Sequence, residues 1–140
     1  MTVTVSMTLC VCVQPCHCGW KLPEGHVITQ LSAGKDYGIA VTEDRGAGRQ
    51  VAQAVWTWGA NRTGQLCLQE LGDIAGPRPV PALRSIADAR KIQQVACGRS
   101  HTLLLQTDGL VVAFGMNDDG QLGIGRCEYQ IVPSQIYILI

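Results

Sequence analysis

The chain has 140 residues, enough for one ordinary domain, and its eleven basic and eleven acidic side chains cancel. That balance leaves no electrostatic footprint for nucleic acid, and 46% hydrophobic against 16% charged residues excludes disorder throughout. The sixteen glycines are scattered rather than blocked, which suits short strands joined by tight turns.

Residues 1–25 differ from the rest. Cys10, Cys12, Cys16, His17 and Cys18 crowd "CVCVQPCHCGW". Zinc prefers cysteine pairs with two to four residues between them and a second pair well downstream, a pattern this run does not offer, so no metal is expected. Seven cysteines are an odd set for a disulfide framework. The apolar start "MTVTVSMTLCVCV" lacks the charged flank of a secretion signal, and no run of about twenty apolar residues predicts a membrane span. These features point to a reducing cytoplasmic or nuclear setting, with residues 1–25 as a disordered or poorly packed leader.

From His26 the chain becomes short apolar runs punctuated by glycine. Val27 to Ser32 reads as a strand, Ala33 to Asp36 as a turn and Tyr37 to Thr42 as a second strand. A polar insertion of about eight residues, within "DRGAGRQVAQ", precedes the returning strand Ala54 to Trp58; at a hairpin tip such length costs little. Pro77, Pro79 and Pro81 then bar a central strand or a helix interior. Ala82 to Arg90 has room for one or two helical turns. The same plan then repeats: strand Ile92 to Cys97, turn Gly98-Arg99-Ser100, strand His101 to Gln106, a tight Thr107-Asp108-Gly109 hairpin turn and returning strand Leu110 to Phe114. The closing "YQIVPSQIYILI" echoes "RPVPALRSI" as a Val-Pro entry to an apolar run.

The clearest signal is a duplicated stretch: "VWTWGANRTGQLCLQ" from Val55 returns as "VVAFGMNDDGQLGIG" from Val111. In the second copy Val112 and Phe114 share one face and Val111 and Ala113 the other; neither is polar, so this strand is covered on both sides. Gly115 permits close backbone approach or a positive φ, and Asn117 is positioned to bond its own backbone two residues on and start a turn. Gly120 supplies a left-handed residue and Gln121 ties down the loop. Leu122, followed by Gly123, is an apolar plug between neighbouring units. Trp58, Gly59, Asn61, Gly64, Gln65 and Leu66 hold the same places in the first copy, where Cys67 and Gln69 replace Gly123 and Gly125.

"QVACGRSHTLLLQTDGLVVAFGMNDDGQLGIG", residues 94–125, resembles the repeat of the regulator of chromosome condensation family. The likeness lies in its Ala-Cys-Gly-x-x-His-Thr stretch (Gly98, His101), its Asp108-Gly109 hairpin, its aromatic-Gly-x-Asn step and its Gly-Gln-Leu-Gly run. Residues 31–69 match less closely, with Asp36 and Tyr37 where the second copy has Ser100 and His101. The resemblance implies an all-β fold: a partial β-propeller of about two four-stranded antiparallel blades, one over residues 26–82 and one over 83–140, where the family propeller commonly has seven. A fragment, a truncated isoform or a member of a larger assembly would each account for the difference. Two blades leave strand edges and apolar faces unpaired, so marginal stability or self-association is expected.

At His101 the resemblance implies a structural histidine; no carboxylate or nucleophile motif makes it a catalytic base. Asn61-Arg62-Thr63 is a formal glycosylation sequon inside the turn motif. Asp118 and Asp119 read as solvated loop carboxylates. The glycine-rich loops lack the lysine and following helix of a phosphate-binding loop, so no cofactor is expected. The implied function is non-catalytic: blade loops presented to a protein partner, with part of a guanine nucleotide exchange factor for a Ran-like small GTPase as the alternative. A thiol or zinc enzyme using the cysteine run is a distant third class.

Overall fold

The computed structural model describes residues 21–46, 51–84 and 91–136, so the cysteine run expected to form a leader lies outside the described residues. The strands are β1 (His26–Ala33), β2 (Tyr37–Asp44), β3 (Ala52–Gly59), β4 (Ile74–Pro79), β5 (Ile92–Cys97), β6 (His101–Gln106), β7 (Val111–Gly115) and β8 (Gln130–Ile136). They form two four-stranded antiparallel sheets, β1-β2-β3-β4 and β5-β6-β7-β8, the two blades of a partial propeller.

Alternation builds each sheet. On β2 and β3, Ile39, Val41 and Val55 point one way and Ala40 and Thr42 the other, and all five are buried. On β6 and β7, Leu104, Val112 and Phe114 point toward the first sheet. One cluster joins the sheets: Ile39, Val41, Val55, Cys67, Val80 and Leu83 from the first unit meet Ile92, Val95, Leu104, Val112 and Phe114 from the second.

β4 and β8 are edge strands that chain patterning alone did not locate. Proline lacks an N–H and is tolerated where that side faces away from the ladder, so Pro77 and Pro79 fit β4 while remaining barred from a central strand. The registers Thr57↔Arg78 and Ala113↔Ser134 set Pro133 opposite the place of Pro77. The Val-Pro echo therefore misaligned the copies: Pro133 lies inside a strand, whereas Pro81 opens a 3-10 turn, Pro81–Leu83. Of the helical turns expected over Ala82 to Arg90, this turn is the described part; 85–90 lie outside the described residues.

The insertion is also less of a loop than expected. Glu43↔Gln53 and Asp44↔Ala52 continue the β2–β3 ladder beyond the point where β6 and β7 end. Among the described residues no helix is long and apolar enough to cross a membrane.

Candidate functional site

The junction between the sheets is held by side chains of the first unit reaching the free edge of β5. Gln30 on β1 accepts from the Val95 N–H (2.8 Å) and donates to the carbonyls of Gln93 (2.6 Å) and Ile92 (3.3 Å). Gln53 accepts from the Ile92 N–H (2.7 Å) and donates to its carbonyl (3.3 Å). Ser32 accepts from the Cys97 N–H (3.0 Å). An edge strand carries unpaired amides, and these three side chains take the place of a fifth strand.

Tyr37 closes the same junction. It holds the place of His101, and each ring lies against the glycine three residues before it, Gly34 or Gly98; a Cβ there would stand within about 2 Å of the ring. The longer Tyr37 side chain reaches the second unit: its hydroxyl donates to the carbonyls of His101 and Gly98 and accepts from Thr102 Oγ1 at 3.1 Å. Burial holds the phenol well above its ordinary pKa, the Cys97 thiol adds to this, and the Thr102 bond partly opposes it. Burial likewise lowers the pKa of His101, so the imidazole is neutral at pH 7.

At one end of the sheets, the β1–β2 and β5–β6 turns and the β3–β4 and β7–β8 loops surround an open cleft of about 950 Å³. Lys35 and Arg99 come from equivalent turns, whose backbones meet through the Lys35 N–H and Arg99 carbonyl (3.1 Å). Arg62, Asp36, Asp73 and Asp119 complete a mixed-charge lining.

The repeat residues build the backbone of this cleft. Gly59 and Gly115 have φ of 98° and 104°, and a Cβ on either would press into the Asp36 or Ser100 carbonyl at 2.4 or 2.6 Å. Those carbonyls accept from the next residues, Ala60 and Met116, binding each loop to its turn. Asn61 and Asn117 are fully buried. Each is a staple across its loop, not the two-residue turn expected: Asn61 accepts from Leu66 N–H (3.1 Å) and donates to Glu70 carbonyl (2.6 Å), while Asn117 accepts from Leu122 N–H (2.9 Å) and donates to Arg126 carbonyl. The short amide side chain is drawn inward because the loop folds back over it. With both amide functions engaged and no exposure, Asn61 is closed to glycosylation in the folded chain. Gln65 and Gln121 accept from the N–H of Thr63 and Asp119, tying the loop two residues back. Gly64 and Gly120 are left-handed (φ 78° and 71°).

Leu66 and Leu122 are fully buried, yet neither joins the cluster between the sheets; Leu66 is pinned to its own sheet by the Asn61 bond and by Thr57 Oγ1 on its carbonyl. Cys67 enters that cluster instead. Cys67 and Gln69 keep the left-handed backbone of Gly123 and Gly125, with φ of 56° and 59°. Burial raises the Cys67 pKa to about 12, so it is a neutral core thiol. Asp108 and Gly109 form the β6–β7 turn, with only Gly109 left-handed and Asp108 accepting from the Leu110 N–H (3.1 Å). Asp118 and Asp119 are both exposed, and no group of three potential metal ligands occurs among the described residues.

Two models of the regulator of chromosome condensation (RCC1) repeat match, over residues 54–105 and 92–121. The first straddles both sheets, from β3 to β6. The chain is 34% identical to the ultraviolet-B receptor UVR8 of Arabidopsis thaliana over 81% of its own length and 23% of that protein. It is 42% identical to mouse protein RCC2 over 61% of its length and 15% of that protein. Among solved structures, Prp20p of Saccharomyces cerevisiae, described with its binding to Gsp1p and histones, superposes with a TM-score of 0.60 at 21% identity, covering 81% of this chain and 26% of that one. The chain thus spans about a quarter or less of the proteins it matches.

Proposed function

Since the chain belongs to the regulator of chromosome condensation repeat family, we propose that it is a non-catalytic interaction module that binds a protein partner through the loop end of its blades. The leader over residues 1–25 and the units over 26–82 and 83–140 are part of this proposal, as is a cytoplasmic or nuclear setting. The observation that carries it is the mixed-charge cleft, where loops of both units converge on a backbone fixed by Gly59, Gly115, Asn61 and Asn117. Rigid loops on a sheet scaffold present charged side chains at little entropic cost on binding. Lys35, Arg62 and Arg99 supply cations and Asp36 and Asp119 anions, so the partner surface carries both signs.

A second reading is part of an exchange factor for a small GTPase, favoured by the likeness to Prp20p and its described binding to Gsp1p. One experiment addresses both. Immobilised chain is challenged with small GTPases, and nucleotide release is followed. Binding that weakens at least tenfold in an Arg62→Ala/Arg99→Ala variant, without nucleotide release, supports the interaction module; accelerated release supports exchange. Binding unchanged by that variant removes the cleft from the proposal.

A further inference from the structure

The cleft has one wall from each unit, and each wall is placed by the other unit. Within a unit, the inner turn and the loop are tied by a repeated bond: Ala60 N–H to the Asp36 carbonyl (2.8 Å) in the first, Met116 N–H to the Ser100 carbonyl (2.9 Å) in the second. The bonds that bring the walls together cross the junction. Gly98, Arg99 and Ser100 form the turn that carries Arg99 into the cleft. Their three carbonyls all face donors of the first unit: the Tyr37 hydroxyl (3.2 Å), the Lys35 N–H (3.1 Å) and the Thr63 hydroxyl (3.3 Å). The two hydroxyls share their hydrogens with the His101 carbonyl and Gln65 Oε1, so the Lys35 amide is the undivided donor of the three.

The first unit's loop is held in return. The Gln65 carbonyl accepts from Thr102 Oγ1 (3.1 Å). Gly64 lies flat against β8: a Cβ there would stand 2.7 Å from Ile131 Cα and 3.1 Å from the Gln130 carbonyl oxygen. Only glycine fits such a gap. At the equivalent Gly120 a Cβ would meet nothing within 4 Å, so that glycine answers only to its left-handed φ of 71°. Arg62, two residues before Gly64, therefore takes its place in the cleft from the second unit, as Arg99 takes its own from the first.

We propose that the cleft is a composite made by the docking of the two units, with Gly64 as the positioning residue for Arg62 and the Lys35 amide holding the turn of Arg99. Loosening the junction then opens the cleft even where no cleft residue is changed. Conversely, a partner that touches Arg62 and Arg99 together fastens the units, since the two effects are one coupling free energy. That last consequence rests on the loop-end reading; the assembly of the cleft does not.

Amide exchange on the intact chain tests this through a ratio. Lys35 N–H bonds across the junction, whereas Ala60 and Met116 N–H bond within their own units. Global destabilisation moves all three amides alike; local opening of the junction moves Lys35 alone. In Gly64→Ala the Lys35 rate rises about tenfold relative to Ala60 and Met116, the scale of one to two lost hydrogen bonds. Gly120→Ala carries the same left-handed strain without the collision and leaves the ratio unchanged. Gln30→Ala with Gln53→Ala, which act on β5 and do not line the cleft, raise the ratio in the same direction. A ratio that stays flat in both Gly64→Ala and the glutamine pair overturns the proposal, as does an equal rise in Gly120→Ala. No partner enters the assay, so failure of the loop-end reading leaves its result standing.

Discussion

Removing the Tyr37 hydroxyl isolates the clamp between the units. In Tyr37→Phe the ring still fills its seat on Gly34, so no cavity forms. The His101 carbonyl keeps the Gly98 N–H at 2.8 Å and Thr102 Oγ1 keeps the Gln65 carbonyl at 3.1 Å, while the carbonyl of half-buried Gly98 loses its bond. The cost is then at least the net value of the hydroxyl's own bonds, about 1–1.5 kcal/mol. At a slope of roughly 1–2 kcal/mol per molar urea for a chain of this size, the midpoint falls by about 0.5–1.5 M. Thr102→Val removes the other side of the Thr102–Tyr37 bond, so the two changes are coupled by about 0.5 kcal/mol or more in a double-mutant cycle. An unchanged midpoint in Tyr37→Phe, or strict additivity with Thr102→Val, refutes the claim that this hydroxyl fastens one unit to the other.

Three further outcomes are expected. Tyr37 and Cys67 are both neutral in the fold with raised pKa, Cys67 from 9.0 to about 12, so their stabilisation is complete at neutral pH and lost as pH rises past the unfolded values. Melting temperature should therefore hold to about pH 9 and then fall, each group removing up to about 1.4 kcal/mol per pH unit; Tyr37→Phe combined with Cys67→Ala should flatten the decline, and an unchanged slope would assign it elsewhere. Gln69→Gly relieves an exposed left-handed residue and should gain up to about 1 kcal/mol in urea unfolding, while Gly125→Gln loses a similar amount; the opposite signs would contradict the shared backbone. Asn117→Ala leaves the Leu122 N–H and Arg126 carbonyl without their staple and should cost about 2–4 kcal/mol in the same assay, whereas a loss below about 0.5 kcal/mol would make the staple incidental.

The first three strands of each unit were legible because their alternation is strong: Ile92–Cys97 and His101–Gln106 have the predicted limits, and β2 and β3 extend beyond theirs where the insertion joins the ladder, with Gly59 added at the other end of β3. β4 and β8 were not located by chain patterning, since proline argues against strand in general and only the assembled sheet shows which edge has no need of an N–H. The turn glycines were readable from the duplicated motif. The reach of Asn61 and Asn117 was not, since a carbonyl nine residues away becomes a partner only after the loop closes. Gln30 and Gln53 were missed for a similar reason. A glutamine on a strand reads as solvent-facing until a neighbouring sheet presents its bare edge, and Gln53 sat in a stretch taken for loop.

The central claim is that the second unit's inner edge is capped by side chains of the first. Amide hydrogen exchange on dilute protein tests it at Ile92, Val95 and Cys97, whose N–H groups bond to Gln53, Gln30 and Ser32. These three should be protected, and Gln30→Ala with Gln53→Ala should release Ile92 and Val95, while the equivalent β1 amides of Ile28 and Leu31 exchange rapidly throughout. Equal exchange at the two sets of amides would mean that the units do not clasp each other in solution.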